Sequence, residues 1–104
     1  MTNYVGNARE QNRKYDKVID EIKQMRKFYQ DSIDELDANI SGVASVNSLK
    51  ISIRDKIIEL DNKIKEINET KSAILKKANS LQRAEEERKR REELERQKKE
   101  EQNL

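Results

Sequence analysis

The sequence predicts an all-α fold: an antiparallel two-helix hairpin of coiled-coil type, with an extended and charged C-terminal helical tail. Three observations carry this. Charged residues make up 42% of the 104 positions, with no Pro and only two Gly. Apolar residues recur at alternating spacings of three and four in two stretches of similar length. A single short break rich in Ser, Gly and Asn separates those stretches. A chain this charged could equally be disordered, and the regularity of the apolar series decides for helix.

Residues 1–7 read as a lead-in, with Asn7 and Glu10 spaced as a capping pair. From there Tyr15, Ile22, Tyr29 and Leu36 recur every seven residues. Val18, Met25 and Ser32 follow the first three of these by three positions and complete an a/d seam. Ile19, Ile33 and Ile40 widen it on one flank. The first helix is therefore expected over about 8–40. The break 41–47 contains Gly42, which can take the left-handed conformation that ends a helix, and Ser45, Asn47 and Ser48, which can cap the next one. A restart near Asn47 is expected.

The second seam is cleaner. Ile53, Ile57, Leu60, Ile64, Ile67, Lys71, Ile74, Ala78 and Leu81 alternate spacings of four and three, and only Lys71 interrupts the apolar series. A lone charge at such a position acts as a register device more often than as a site. Two rods of comparable length joined by a short loop fold back on each other. A turn near Ala44 places Leu36 beside Ser52, Tyr15 beside Ala73 and Tyr4 beside Ala84. Asp34, Glu35 and Asp37 then face Lys50, Arg54 and Lys56, which offsets the unfavourable dipole at each helix end.

Residues 1–81 thus form the hairpin and 82–104 a charged tail continuing the second helix. The tail lacks a seam but is rich in i,i+4 pairs, namely Glu85–Lys89, Glu86–Arg90, Glu87–Arg91, Glu92–Arg96 and Glu95–Lys99. Each contributes about 0.2–0.5 kcal/mol, and in series they hold a solvated helix.

Composition narrows the function. With no His and no Cys, the ordinary catalytic base, the thiol nucleophile and the commonest transition-metal ligands are missing. No catalytic residue, cofactor site or metal site is predicted; Asp31, Asp34, Glu35 and Asp37 lack the Gly-centred loop that calcium requires. Arg88–Arg91 is enclosed by Glu85–Glu87 and by Glu92 and Glu93, which cancel the potential that nucleic acid would need. The longest apolar run is Ala73-Ile74-Leu75, too short to enter a bilayer or to form a Sec-type leader.

What remains is protein–protein interaction. A two-helix hairpin buries one side of each helix, so a further partner is expected on the other sides. Ile51 and Ile58 share an outer heptad position and Phe28 lies on a flank of the first helix. With Ile33 they form the expected partner-binding set. The hairpin core is expected to hold Tyr15, Val18, Ile22, Met25, Tyr29 and Leu36 against Ile53, Ile57, Leu60, Ile64, Ile67, Ile74 and Leu81.

Two matched helices of this length, with Ile40-Ser41-Gly42 at the turn, resemble the small helical-hairpin (WXG-type) proteins of bacterial type VII secretion. In that family a Trp-x-Gly occupies the turn; here Gly42 is kept and Ile40 stands in the Trp position. The family's C-terminal Tyr-x-x-x-Asp/Glu signal has no counterpart after Tyr29. These departures are most similar to the small targeting partners encoded with LXG toxins. That resemblance implies a chaperone-like protein in the bacterial cytoplasm that binds the helical N-terminal domain of an LXG-type effector, with a second small hairpin protein as a possible companion. It also implies co-export by the type VII route without a Sec leader. The alternative, from a different class, is a homodimeric coiled-coil scaffold.

Overall fold

The computed structural model describes residues 2–39 and 44–103. Among them it contains two helices and no strand, α1 over Tyr4–Asn39 and α2 over Ala44–Gln102. The chain is the helical hairpin that the periodicity predicts. Ile40 and Gly42, the expected turn motif, lie outside the described residues. α2 begins at Ala44 rather than near Asn47, and it runs unbroken for 59 residues. At about 1.5 Å per residue a helix of that length accounts for nearly all of the molecule's 92 Å extent, while the other dimensions are 16 and 12 Å.

α1 starts four residues before the expected point because Asn3, not Asn7, is its cap. The Asn3 Oδ1 accepts from the Gly6 N–H at 2.9 Å, and the Asn3 carbonyl accepts from the Asn7 N–H at 3.0 Å. This is the N-cap arrangement, which satisfies one of the free donors of the first turn. Gly6 makes room for it: a Cβ there would come within 2.4 Å of Asn3 Nδ2. The extra turn has something to pack on, since α2 continues past it.

Three ion pairs cross between the helices among the described residues: Lys71–Asp16, Arg26–Asp61 and Lys50–Asp37. Within each pair the two residue numbers add to 87, so one constant antiparallel register holds from the turn end to the open end. The expected register, with Leu36 beside Ser52, differs from it by one residue. Of the acids and bases expected to meet near the turn, Asp37 and Lys50 pair. Asp34 instead accepts from Gln30, and Lys56 donates to Glu59 on its own helix.

The α1 seam runs in a different phase from the expected one. Ala8, Ile19, Ile22 and Ile33 are its buried residues, with Tyr15, Tyr29 and Leu36 half-buried. The series is therefore Ala8, Asn12, Tyr15, Ile19, Ile22, Arg26, Tyr29, Ile33 and Leu36. Val18 and Met25, expected in the core, are 42% and 50% exposed. Ile33, expected to face a partner, is only 4% exposed and belongs to the hairpin interior. Both phases share Tyr15, Ile22, Tyr29 and Leu36. The observed one wins because Ile19 and Ile33 offer more apolar surface than Val18 and Ser32, and because Arg26 can sit at the seam with Asp61 as its counterion.

On α2, Ile57 and Ala78 are buried and Ile53, Leu60, Ile64, Ile67 and Ile74 are half-buried, as the spacing predicts. Leu81 departs from it at 42% exposed. A straight helix drifts by about 20° per heptad against a strict seven-residue repeat. By this end of α2 the covered positions have moved to Gln82 and Glu85.

Candidate partner interface

The observed seam gives each side of the hairpin its own character. In heptad terms Tyr15, Ile22, Tyr29 and Leu36 of α1 and Ile53, Leu60, Ile67 and Ile74 of α2 hold position d. Asn12, Ile19, Arg26 and Ile33 of α1 and Lys50, Ile57, Ile64, Lys71 and Ala78 of α2 hold position a. In an antiparallel pair the e positions, beside a, line one groove between the helices, and the g positions, beside d, line the other.

The e groove is bridged by charge, and towards the open end of the hairpin it keeps a cleft of about 520 Å³ lined by Arg9, Asn12, Asp16, Asn68, Lys71, Ser72 and Leu75, of which only Leu75 is apolar. All three cross-helix ion pairs join a cation at a to a carboxylate at e. Arg26 Nε donates to Asp61 Oδ1 at 2.7 Å, and its Nη2 reaches Oδ2 at 3.4 Å. This two-point bond, reinforced by the charge of Asp61, raises the Arg26 pKa above its ordinary value. Lys50 donates to Asp37 and holds that carboxyl below the usual aspartate range, with Arg54 adding a smaller pull. Lys71 donates to Asp16, and on the same side Asn12 Nδ2 donates to the Lys71 carbonyl at 3.2 Å. Long cationic side chains lie over the a layer with their heads in water. Of the buried residues, Ile19, Ile33, Ile57 and Ala78 sit in this layer.

The g groove carries no such cover. Its floor is the d layer, whose apolar members are mostly half-buried rather than buried. Its α1 rim is Val18, Met25 and Ser32, and Phe28 lies one position further out at 68% exposed. The Phe28 ring meets Tyr29 edge-on, with centroids 5.9 Å apart and planes at 68°, so it extends the apolar surface without being covered by it. Towards the turn, Leu36, Ile53 and the exposed Leu49 line a groove of about 420 Å³ with Ser32, Glu35 and Asn39. Every one of these six holds position c, d or g.

Of the expected partner-binding residues, then, Phe28 is on the g side, whereas Ile51 and Ile58, each 57% exposed, hold position b and flank the e side. The structure does not bring them together, and Ile33 is withdrawn from the surface. The residues that sequence reasoning missed as surface are Val18, Met25 and Leu49. Their signal was present in the α2 charges: once Lys50 and Lys71 are placed at the same heptad position, acids one step beyond d are their counterions, and the α1 phase follows.

The tail is α2 beyond the start of α1. Among its described ion pairs, Glu85–Lys89 and Glu87–Arg91 form as expected, at 3.9 and 2.8 Å. The other contacts are Arg88–Glu92 and Arg96–Glu93 rather than Glu86–Arg90, Glu92–Arg96 and Glu95–Lys99. No group of His, Cys, Asp or Glu among the described residues is placed to hold a metal, and no described helix is long and apolar enough to cross a membrane.

No family model, no curated protein and no solved structure matches this chain.

Proposed function

We propose that the protein is a non-enzymatic helical-hairpin binding protein that engages the helices of a larger protein. The observation that supports this reading is the asymmetry of the two grooves. One is bridged by ion pairs and lined mostly by polar side chains, while the other leaves Val18, Met25, Phe28 and Leu49 exposed over a half-buried apolar layer. Scattered exposed hydrophobes are ordinary; a row of them along one groove of a two-helix rod is the pattern that a third helix covers.

Within that class, the client proposed is the helical N-terminal domain of an LXG-type effector of a type VII system, with the protein acting as targeting partner or chaperone. This finer reading rests on the hairpin architecture and on Ile40-Ser41-Gly42 in the sequence. Co-expression with an LXG-type N-terminal domain from the same genome tests it. The expected outcome is a co-purifying complex that unfolds at higher temperature than the free chain. A chain that is a stable homodimer by light scattering, and that leaves the effector domain behind, overturns the proposal in favour of the scaffold.

A further inference from the structure

We infer that the g groove is built for an amphipathic helix of another protein, one that carries carboxylates along the flank lying against α2. This inference rests on the binding reading above and assigns it a face and a partner chemistry. The argument is the charge pattern of the two rims. On α1 the g positions from Gln11 to Asn39 are uncharged. On α2 they are Leu49, Lys56, Lys63, Thr70 and Lys77, three cations and no acid. Lys56 has a counterion in Glu59, whereas Lys63 and Lys77 make no hydrogen bond or ion pair among the described residues. The acids nearest to this groove, Glu21, Glu35, Glu59 and Glu66, stand one heptad position further out, and of these Glu35 lines its turn-proximal end.

A second copy fits this groove poorly. Two g faces brought together would add a second row of lysines and contribute no g-position carboxylate from either chain, and like charges oppose association. The e groove is the reverse case, with each a-position cation already matched to an acid. A helix presenting an apolar stripe to Tyr29, Leu60 and Ile67, with Glu or Asp beside Lys63 and Lys77, covers the open layer and supplies the missing charges. Helix-in-groove recognition of this kind draws affinity from the apolar stripe and orientation from the flanking charges.

The test uses the full chain and two synthetic peptides of about three heptads each. Both carry Leu on the apolar stripe; one has Glu on the flanks and the other Lys. The Glu peptide is expected to bind, with amide NMR shifts concentrated at Val18, Met25, Phe28 and Leu49, and the Lys peptide to bind about tenfold more weakly or not at all, as a few rim charges allow. Lys56→Glu with Lys63→Glu, checked for unchanged helicity, should invert that order. Light scattering should give a monomer before peptide is added. Equal binding of both peptides, or a homodimer whose g-groove amides are already protected, overturns the inference. Shifts at Ile51 and Ile58 instead defeat the face while leaving the helix-binding reading standing. If neither peptide binds but the effector domain does, the acidic-helix chemistry falls alone; if nothing helical binds, both fall.

Discussion

α2 is one continuous helix that lives under two regimes. From Lys50 to Glu85 it lies against α1, and its helicity is held by apolar burial at Ile57 and Ala78 and by cross-helix ion pairs. From Glu86 to Gln102 it has no companion. Seven cations and seven anions there leave no net charge, and the contacts are within the helix, as in Arg91–Glu87. Helical propensity is higher in the second part, which holds only Glu, Arg, Lys, Leu and Gln, than in the first, where Ile, Ser and Asn are frequent. What the first part has instead is cooperativity. A change in the paired part is felt through two helices, and a change in the tail is felt by its own turn.

The strongest way to break this comparison is to delete buried atoms on one side of it and exposed atoms on the other. Ile57→Ala should cost about 2–5 kcal/mol of hairpin stability, the range for large-to-small changes at buried sites. Leu94→Ala, at a position 54% exposed, should stay within about 0.5 kcal/mol. Urea unfolding followed by circular dichroism measures both, and equal effects would dissolve the distinction between the two parts. The same experiment settles the α1 phase. Ile33→Ala should resemble Ile57→Ala, whereas Met25→Ala should cost well under half as much because half of Met25 is already in water. A larger loss at Met25 than at Ile33 would restore the phase read from the sequence.

Next in size is the cap. Asn3→Ala should destabilise the hairpin by about 0.5–2 kcal/mol, because the Gly6 N–H loses the Asn3 Oδ1. Asn7→Ala should have almost no effect, which separates the observed cap from the expected one.

How much of this was legible in the sequence follows from what each signal measures. The fold class, the α2 seam and the register to within one residue follow from spacing, and spacing is insensitive to side-chain detail. The α1 phase does not. Placing Val18 and Met25 inside meant preferring apolar residues to Arg26 at the seam, and the structure favours Arg26 because Asp61 meets it. The pairing of cations at a with carboxylates at e is a property of both helices together, so neither helix shows it alone. The start of α1 was likewise hidden. Asn3 and Asn7 are equally good caps by type, and only the length of α2 opposite Tyr4 and Ala8 favours the earlier one. The open groove escapes the sequence for the same reason as the phase: Ile51 and Ile58 stand out as apolar letters, while spacing alone assigns Val18 and Met25 to the core.

A smaller effect separates the turn-proximal ion pair from the rest by pH. Asp37 is held below its ordinary value of 3.8 by Lys50, so the folded chain binds fewer protons there than the unfolded chain. The stability it contributes is therefore present above about pH 3.8 and is lost as pH falls from there through the lowered value. Asp37→Asn should flatten that part of a stability–pH curve by lowering the neutral-pH side, with the two proteins converging at the acid end where the carboxyl is already protonated. An unchanged acid limb in Asp37→Asn would mean that Lys50 does not hold the carboxylate in solution.

The smallest expected effect lies in the tail, and it is the one that tests whether the second regime exists at all. Arg91→Ala removes the partner of Glu87, a contact of 2.8 Å of the kind worth about 0.2–0.5 kcal/mol. Nothing in the paired part touches that contact, so the hairpin's unfolding midpoint should not move. The helical signal of the full chain should fall slightly, and the loss should shrink with added salt, since salt screens exposed ion pairs within a Debye length of about 8–10 Å. Ile57→Ala should show the opposite signature, a displaced midpoint with little salt dependence. If Arg91→Ala displaced the midpoint, the tail would be bearing load on α1, and a single cooperative unit would replace the two parts compared here.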